Sequence, residues 1–310
     1  MGPQRHPALA ALTRCMAFLP ELTIVAVPKA FRADIGLIQQ NALDSWLQLP
    51  AEVQILVVGT DDGVAEAAAG ARVRHLPAVA ASKFGTPLFD DVLRQAEAAS
   101  EAPLICFANA DVILLGDLVP AVRRVQARME RFLIVGQCWN VKVTERLDFA
   151  ADGAATVRRM IGDAGRLRPK EATDYFIFPK GLYGRVPPFA VGRARIDNWL
   201  LWRARDLGVA VVDATSAITA VHQEHEYEHV PGGKGWAYTG PEAQRNRHLA
   251  GGDRGYYTLR DASHSLTLGG IRRNLSSTAR LSTRVLRLRN YIGIVRRGKG
   301  SSLTSPFRIP

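Results

Sequence analysis

Cysteine is scarce in this sequence of 310 residues, which has only Cys15, Cys106 and Cys138. Three cysteines cannot all pair, and Cys106 lies in an apolar run, so a disulfide-stapled scaffold is excluded and a reducing compartment is favoured. No uninterrupted apolar stretch reaches the length of about 18 residues that a membrane-spanning helix needs. The apolar start at 8–19 is broken by Thr13 and Arg14. We expect residues 1–21 to be a lead-in segment that is either a short helix or disordered.

Acidic residues are almost absent from the end of the chain. Residues 260–310 hold 11 Lys or Arg against Asp261 alone, a net charge of +10, whereas residues 1–259 hold 29 basic and 28 acidic residues, a net charge of +1. The formal charge of +11 therefore belongs to a cationic tail on a nearly neutral body. No aromatic and basic platform accompanies this charge, so we expect no nucleic-acid partner.

The tail has helical apolar spacing with arginines between the apolar positions. The apolar residues are Ile271, Leu275, Val285, Leu288, Ile292 and Val295. This pattern is typical of a basic amphipathic helix on an anionic membrane surface, and also of a helix that packs on the body with its arginines outward. We expect 261–310 to be a basic helical tail in which 271–297 contact such a membrane, and the protein to be cytoplasmic or peripheral at its inner face.

Strand-like and helix-like segments alternate along the rest of the chain. Strands are predicted at 22–27, 53–58, 73–76, 104–108, 132–135, 175–178, 209–212 and 218–221. Helices are predicted at 34–47, 64–69, 88–100, 118–129 and 196–207. This alternation predicts a mixed α/β body, at about 22–260, with a mostly parallel sheet flanked by helices.

Polar clusters follow three predicted strands, where ligands of open α/β sheets bind. They are Pro28-Lys29, Asp61-Asp62 and Asn109-Ala110-Asp111. Asp111 follows a buried apolar strand, and a carboxylate so placed can hold Mg²⁺ or Mn²⁺ and leave positions for phosphate oxygens. The same carboxylate could simply cap a turn.

Taken with a later Asp at a helix start and a His after the next strand, this motif resembles the GT-A family of nucleotide-sugar glycosyltransferases. The resemblance covers about residues 22–225 and is nearest to the family-2-type inverting enzymes. The family's motif is usually Asp-x-Asp, so Asn109 departs from it by lacking the first carboxylate. The resemblance implies a Rossmann-like GT-A fold with a nucleotide-sugar half at 22–137 and an acceptor half at 138–260. It also implies transfer from a nucleoside-diphosphate sugar, with UDP-sugars favoured, assisted by Mn²⁺ or Mg²⁺.

Several residues are candidates for donor binding. In the family, an Asp that ends the second strand contacts the base or ribose, which points to Asp61 or Asp62, although two acids before a Gly also form solvated turns. The segment 83–87 precedes a helix, where Gly lets a backbone approach phosphate or sugar oxygens closely. The complete set of donor-binding candidates is Pro28, Asp61, Asp62, Lys83, Gly85, Thr86, Asn109 and Asp111.

The acceptor half contains the candidate base. Asp197 opens a predicted helix and matches the family's catalytic base, since inverting transfer needs a carboxylate that takes the proton of the acceptor hydroxyl. Asp also favours helix N-caps, so this residue could be structural. The candidates for binding a glycan or lipid-linked acceptor are Asp174, Tyr175 and Trp199. Asp174 could instead be the base in place of Asp197, and Trp199 could instead pack in the core.

Three of the seven histidines fall within 222–229. His222 ends a predicted strand, where a GT-A histidine reaches the metal or the diphosphate, so the resemblance implies Asp111 and His222 as metal ligands. The spacing of His222, His225 and His229 would also place three imidazoles on one face of a helix, as in a zinc site. A polar loop with incidental histidines is the third interpretation.

Two other functions fit parts of the sequence. A nucleotidyltransferase acting on sugar phosphates uses a similar sheet, but a glycine-rich phosphate loop is missing after the first strand. A non-catalytic carbohydrate- or membrane-binding protein is suggested by Asn109. By contrast, a glycosyltransferase accounts for both the acidic clusters and the histidine-rich segment.

Overall fold

A computed structural model describes residues 20–70, 72–225 and 233–274 of the chain. Three predicted features lie wholly or partly outside the described residues: the expected lead-in (its residues 1–19), His229, and the expected basic tail (its residues 275–310). Within the described ranges, no helix has both the length and the apolar character needed to cross a membrane. The two cysteines described, Cys106 and Cys138, are buried and not disulfide-bonded.

A nine-stranded sheet forms the centre of the described chain. Its strands are β1 (Leu22–Ala26), β2 (Val53–Val58), β3 (Val73–Leu76), β4 (Leu104–Ala108), β6 (Phe132–Val135), β9 (Tyr175–Pro179), β10 (Ala210–Asp213), β12 (His264–Thr267) and β13 (Gly270–Arg273). Their order is β13-β12-β10-β6-β9-β4-β1-β2-β3. Strands β9 and β13 run antiparallel to their neighbours, and the other pairs are parallel. The predicted mixed α/β body with a mostly parallel sheet is confirmed.

Eight described α-helices accompany the sheet. They are α1 (Ala33–Leu47), α2 (Val64–Ala67), α3 (Phe89–Ala99), α4 (Leu118–Gln126), α5 (Gly153–Ala164), α6 (Ile196–Asp206), α7 (Gly233–Thr239) and α8 (Pro241–Leu249). Short 3₁₀ turns follow at Gly252–Gly255 and Leu259–Asp261. Five of these helices, α1 to α4 and α6, match predicted ones. Their boundaries agree within two residues, except that α4 ends three residues before its predicted end.

The core lies on both faces of this sheet because strand side chains alternate between faces. Val25 of β1 packs with Phe89 of α3 and Trp199 of α6 on one face. Ile24, its neighbour in β1, packs with Trp46 of α1 and helix α4 on the other face. Burial of these apolar surfaces contributes about 25 cal/mol per Å² and holds helices against both sides.

A second, four-stranded sheet has the order β5-β11-β7-β8. Its members are β5 (Val112–Leu114), β7 (Trp139–Val141), β8 (Arg166–Leu167) and β11 (Ala220–Gln223). Strand β11 was predicted at 218–221 and lies two residues later, so that His222 falls inside the strand. The very short strands β7 and β8 were not predicted, because two or three residues carry no detectable alternation.

The last two strands of the large sheet extend the body past the expected boundary at residue 260. Strand β12 pairs with β10, and β13 pairs with β12 as an antiparallel hairpin. Ile271, which helical spacing placed in the basic tail, lies in β13 and packs against the core. Period-2 side-chain alternation over four residues is too short to outweigh the longer helical pattern in the sequence.

Candidate functional site

A cavity of about 570 Å³ opens outside the carboxyl ends of β1 and β4. Its lining includes Val27 and Lys29 after β1, and residues 107–111 at the end of β4. This is where open α/β sheets bind ligands, and the volume lies within the range of small-molecule sites. The cavity therefore opens at the sheet edge where the sequence predicted ligand binding.

Three potential metal ligands meet in the cavity wall. Oδ2 of Asp111 lies 3.3 Å from Nε2 of His222 and 3.1 Å from Nε2 of His225. The ligand atoms of these three residues all lie within 4.8 Å of one another. The Asp111 and His222 that the resemblance implied as metal ligands are thus adjacent, and His225 joins them.

Pairing in the small sheet brings these residues together from distant parts of the chain. Strand β11 runs antiparallel to β5, with His222 opposite Val112, the residue after Asp111. The buried Gln223 side chain donates hydrogen bonds to the carbonyls of Asp111, at 2.9 Å, and Ile38, at 2.7 Å. Strand β11 is therefore fixed to the Asp111 turn and to helix α1 at once.

The alternative of three histidines on one helix does not apply to the two that are described. His222 belongs to strand β11, and His225 lies in the irregular segment that follows it. Their rings stack with centroids 5.5 Å apart. The two imidazoles converge on Asp111 because the chain turns after the strand.

The electrostatics of the cluster favour an ionised carboxylate. Burial alone would raise the pKa of Asp111. The charge of His222 and the hydrogen bond from His225 outweigh burial and lower that pKa to about 2. Asp111 is accordingly a carboxylate across the physiological pH range, as a metal ligand must be.

The three donors fit a divalent cation. Ligand atoms at right angles around an octahedral ion with bonds of about 2.1 Å lie about 3.0 Å apart. The two Asp111–histidine separations of 3.3 and 3.1 Å are close to that value. Three protein ligands would leave the other positions of the ion for a ligand's oxygens.

Asp174 and Asn109 form a second polar group in the cavity. Nδ2 of Asn109 donates a hydrogen bond of 3.0 Å to Oδ1 of the buried Asp174. Nε of Arg168 lies 3.0 Å from Oδ2 of Asp174. Asn109 thus makes a specific polar contact at the position where the family's motif has its first carboxylate.

Asp197 lies in the first turn of α6 and also lines the cavity. Burial, and to a smaller extent the negative charge of Asp174, raise its pKa from 3.8 to about 6. A carboxylate with such a pKa is ionised at neutral pH yet still binds protons well, which suits a general base. The helix start predicted for this residue is confirmed.

The residue before this helix has an unusual conformation. Arg195 has a φ of 97°, in the left-handed region that non-glycine residues rarely adopt. Its guanidinium lies 4.7 Å from the ring centre of Tyr256 and 3.2 Å from Oδ1 of Asp253. Among the described residues its buried Nη1 has no hydrogen-bond partner. Strained residues of this kind concentrate at functional sites.

Several predicted donor-binding residues do not line the cavity. Asp61 and Asp62 are exposed after β2, and Asp62 is ion-paired with Arg32. The loop at 82–86 is turned toward helix α8, where Thr86 donates a hydrogen bond to Glu242. Of the eight predicted donor residues, Asn109 and Asp111 belong to the lining, whereas Pro28, Asp61, Asp62, Lys83, Gly85 and Thr86 do not.

Two predicted acceptor-binding aromatics belong to the core. Tyr175 is fully buried in β9, and its hydroxyl has no hydrogen-bond partner among the residues that the structure describes. Trp199 is buried against Phe189, with ring centres 5.4 Å apart. Their side chains point away from the cavity because both elements must bury an apolar face. Asp174 alone of the three predicted acceptor residues lines the cavity.

Other lining residues were not predicted from the sequence. They are the basic residues Arg168, Arg193 and Arg195, and the exposed aromatics Tyr238 and Tyr256. His225 was a candidate ligand only in the helical zinc-site alternative, and Lys29 was part of a predicted polar cluster without a role of its own. Arg193 forms a buried ion pair of 3.0 Å with Glu242. The two arginines in the loop directly before the Asp197 helix were the sequence feature that could have indicated a basic cavity lining. Nothing in the sequence pointed to the two tyrosines, which reach the cavity only through tertiary packing.

Comparisons with known proteins gave distant structural matches only. No family model and no curated protein matches the sequence. Glucosyl-3-phosphoglycerate synthase of M. tuberculosis matches with a TM-score of 0.46 and 17% identity, over 81% of this chain and 87% of that chain. Its complex with Mn²⁺, uridine diphosphate and phosphoglyceric acid matches with a TM-score of 0.46 and 15% identity, over 81% of this chain and 85% of that chain. S. aureus TarS 1–349 with UDP-GlcNAc matches with a TM-score of 0.31 and 14% identity, over 39% of this chain and 35% of that chain.

Two of these solved structures hold a uridine nucleotide. TM-scores below 0.5 assign no family, substrate or residue role to this chain. The arrangement of its own side chains is what bears on function.

Proposed function

We propose that this protein is a glycosyltransferase that moves a sugar from a nucleoside-diphosphate sugar to an acceptor hydroxyl, with the help of a divalent cation. One observation carries the proposal: the cluster of Asp111, His222 and His225 lines the same cavity as Asp197, whose pKa is raised to about 6. A cation site and a carboxylate base in one cavity are the two parts that such a transfer requires.

The donor would bind with its diphosphate at the three-ligand cluster. Asp111, His222 and His225 would hold Mn²⁺ or Mg²⁺, which would neutralise the diphosphate as it leaves. Lys29 lines the same cavity and would add positive charge beside the phosphates. Burial lowers the pKa of Lys29, so an anionic ligand beside it would restore its ordinary basicity.

Asp197 would act as the base of an inverting transfer. As the acceptor oxygen forms its bond to C1 of the sugar, the bond from C1 to the diphosphate oxygen breaks on the opposite face. The hydroxyl proton passes to the Asp197 carboxylate, and the electron pair leaves with the diphosphate. Arg195 is the N-cap residue of α6, so the Asp197 carboxylate does not cap this helix, and its pKa of about 6 suits a base.

Tyr238 and Tyr256 support a glycan acceptor. Both rings line the cavity and remain about half exposed, at 52% and 46%. Exposed rings beside a polar cavity provide flat apolar surfaces on which a sugar ring can pack. UDP as the nucleotide, a lipid-linked acceptor and a membrane-associated location are predictions from the sequence, and the basic segment behind the last of these extends beyond the described residues.

A non-catalytic carbohydrate-binding protein is the second candidate, because Asn109 stands where the family has a carboxylate. The distinguishing experiment measures release of nucleoside diphosphate from UDP- and GDP-sugars, with and without Mn²⁺. The proposal predicts metal-dependent release, lost at least about a hundred-fold in Asp111→Ala and Asp197→Asn.

The matched control is Asp206→Asn, which changes a carboxylate at the end of α6 outside the cavity and should leave release unchanged. Folding of each variant is checked by thermal unfolding. Metal-independent sugar binding with no release from any donor would favour the second candidate. Full release by both cavity variants would refute the proposed site.

A further inference from the structure

We infer that Asn246 of α8 is a positioning residue for sugar transfer, because it holds the loop before α6 in the conformation that presents Asp197 to the cavity. The inference rests on the proposed function for the role of Asp197 as the base. It goes beyond that function by assigning a role in transfer to a residue that does not line the cavity.

Helix α8 packs on this loop through polar side chains, although a helix on the surface of a globular body normally buries an apolar stripe. Glu242 and Asn246 are 3% and 0% exposed, and they lie on one face of the helix because they are four residues apart. Glu242 forms the ion pair with Arg193. Buried polar groups are nearly always hydrogen-bonded in native proteins, so this face of α8 is matched to the polar groups of the loop.

The side-chain amide of Asn246 holds the loop at two points. Its Oδ1 accepts a hydrogen bond of 2.9 Å from the backbone N–H of Ala190. Its Nδ2 donates hydrogen bonds to the carbonyl of Ala190, at 3.0 Å, and to that of Ala194, at 3.3 Å. The N–H of Ala194 donates to the carbonyl of Ala237 in α7, at 3.2 Å. Both backbone groups of Ala194 are therefore fixed by helices α7 and α8.

This arrangement maintains the unusual backbone of Arg195, the residue directly after Ala194. The carbonyl of Arg195 accepts the first hydrogen bond of α6, from the N–H of Trp199 at 3.0 Å. Asn246 thus fixes the peptide before Arg195, and α6 fixes the peptide after it. A strained φ such as the 97° of Arg195 persists only where the surrounding structure imposes it, and here the two fixed peptides do so.

The loop in turn determines where the Asp197 carboxylate lies. Asp197 comes two residues after Arg195, so the direction in which α6 leaves the loop places its carboxylate in the cavity. Burial, the largest cause, and the charge of Asp174 raise its pKa, whereas the charge of Arg195 lowers it. A displacement of about 1 Å at a reacting group can cost about a hundred-fold in rate. Loosening the loop should therefore slow transfer and leave the cation cluster, which lies on other elements, unchanged.

The first test needs no substrate. Arg195→Gly and Arg195→Ala both remove the side chain, but only alanine is strained at this φ, so the glycine variant should have the higher melting temperature. When Asn246→Ala is added to both variants, the backbone of residue 195 can relax, and the difference in melting temperature should largely disappear. Asn246→Asp, which keeps the acceptor for Ala190 and loses the donor to Ala194, replaces Asn246→Ala if that variant does not fold.

The second test is the kinetics of Asn246→Ala. We expect kcat of donor turnover to fall at least about ten-fold. The KM for the donor should stay close to that of the wild type, because the groups proposed to hold the diphosphate are untouched. The rise of kcat/KM with pH should move below about 6, because a more exposed Asp197 has a lower pKa.

The matched control is Thr23→Val at the amino end of β1, away from the cavity. Thr23 is fully buried, and its hydroxyl makes hydrogen bonds of 2.9 Å to Gln54 and 2.7 Å to Ser100. Loss of these bonds should lower the melting temperature without moving the pH profile. The control therefore separates positioning of the base from a general loss of stability.

The outcomes distinguish the inference from the function on which it rests. A difference in melting temperature between the glycine and alanine variants that survives the loss of Asn246 would overturn the inference, whatever the protein does. Unchanged kcat and an unchanged pH profile in Asn246→Ala would also overturn it and leave the glycosyltransferase intact. Absence of donor turnover in the wild type would contradict the proposed function itself.

Discussion

The side-chain amide of Asn109 donates a hydrogen bond of 3.0 Å to the carboxylate of Asp174. These two residues stand 65 positions apart in the chain and meet because β9 pairs antiparallel with β4. The contact gives a structural reason for an amide at this position. A carboxylate here would face another carboxylate that is already buried.

Asn109→Asp should therefore destabilise the protein. At pH 7 the new carboxylate would lose the hydrogen bond and repel Asp174, at a cost of about 1 kcal/mol or more. Repulsion raises the pKa of the pair in the folded state, so the deficit should shrink as the pH falls and one of them binds a proton. Urea unfolding at pH 7 and pH 5 measures this, with Asn109→Ser as the uncharged control. Equal stability of wild type and Asn109→Asp at both pH values would contradict it.

The rate of sugar transfer should depend on the ionisation of Asp197. Burial, followed by the charge of Asp174, raises the pKa of Asp197 to about 6. A base must be deprotonated, so kcat/KM should rise with pH up to about 6 and then level off. The measurement is a pH profile of donor turnover at saturating metal. Asp174→Asn removes one of the charges that raise this pKa and should move the rise to lower pH, provided that the variant is folded.

Glu242 should contribute strongly to the stability of the fold, although it lies outside the reacting groups. This residue is 3% exposed and accepts hydrogen bonds from Ser82, Thr86 and Arg193, the last at 3.0 Å. Glu242→Ala would leave the buried Arg193 charge without its partner, which typically costs about 3–5 kcal/mol. Urea unfolding should show this loss, whereas Glu66→Ala on the exposed surface of α2 should shift stability by at most about 0.5 kcal/mol. Comparable effects of the two substitutions would refute the role given to Glu242.

The backbone strain at Arg195 should be visible in the stability of its variants. Its φ of 97° suits glycine better than any residue with a Cβ. Arg195→Gly should therefore be about 1 kcal/mol more stable than Arg195→Ala, because both lack the side chain and only one is strained. Thermal unfolding of the two variants measures this difference. An alanine variant as stable as the glycine variant would show that the backbone is unstrained.

Local sequence patterns predicted much of the sheet. The buried β-branched runs that became β1, β2 and β4 are apolar on both faces, as interior parallel strands must be. Helical sequence patterns likewise predicted α1, α3 and α6 within two residues, and α4 within three. Short strands such as β7, β8 and β13 were missed because their few residues carry no periodic signal of their own.

The candidate site likewise contains residues that the sequence predicted and residues that it did not. Asp111, Asp174, Asp197 and His222 were identified because each ends or begins an element that the sequence marks clearly. Tyr175 and Trp199 were expected near the acceptor, but the sequence could not show on which face of their elements they lie. Tyr238 and Tyr256 come from segments with no recognisable motif, and they line the cavity only because the chain after α6 folds back over it.

By itself the sequence determined the order of strands and helices, the location of Asp111 at a strand end, and the separation of a neutral body from a cationic end. These follow from local composition and periodicity. Only the tertiary structure decided that His225 joins Asp111 and His222, that Asn109 is bound to Asp174, and that part of the expected tail completes the sheet. Each of these depends on strand pairing between distant segments, and pairing partners are set by packing of the whole sheet, which no local pattern records.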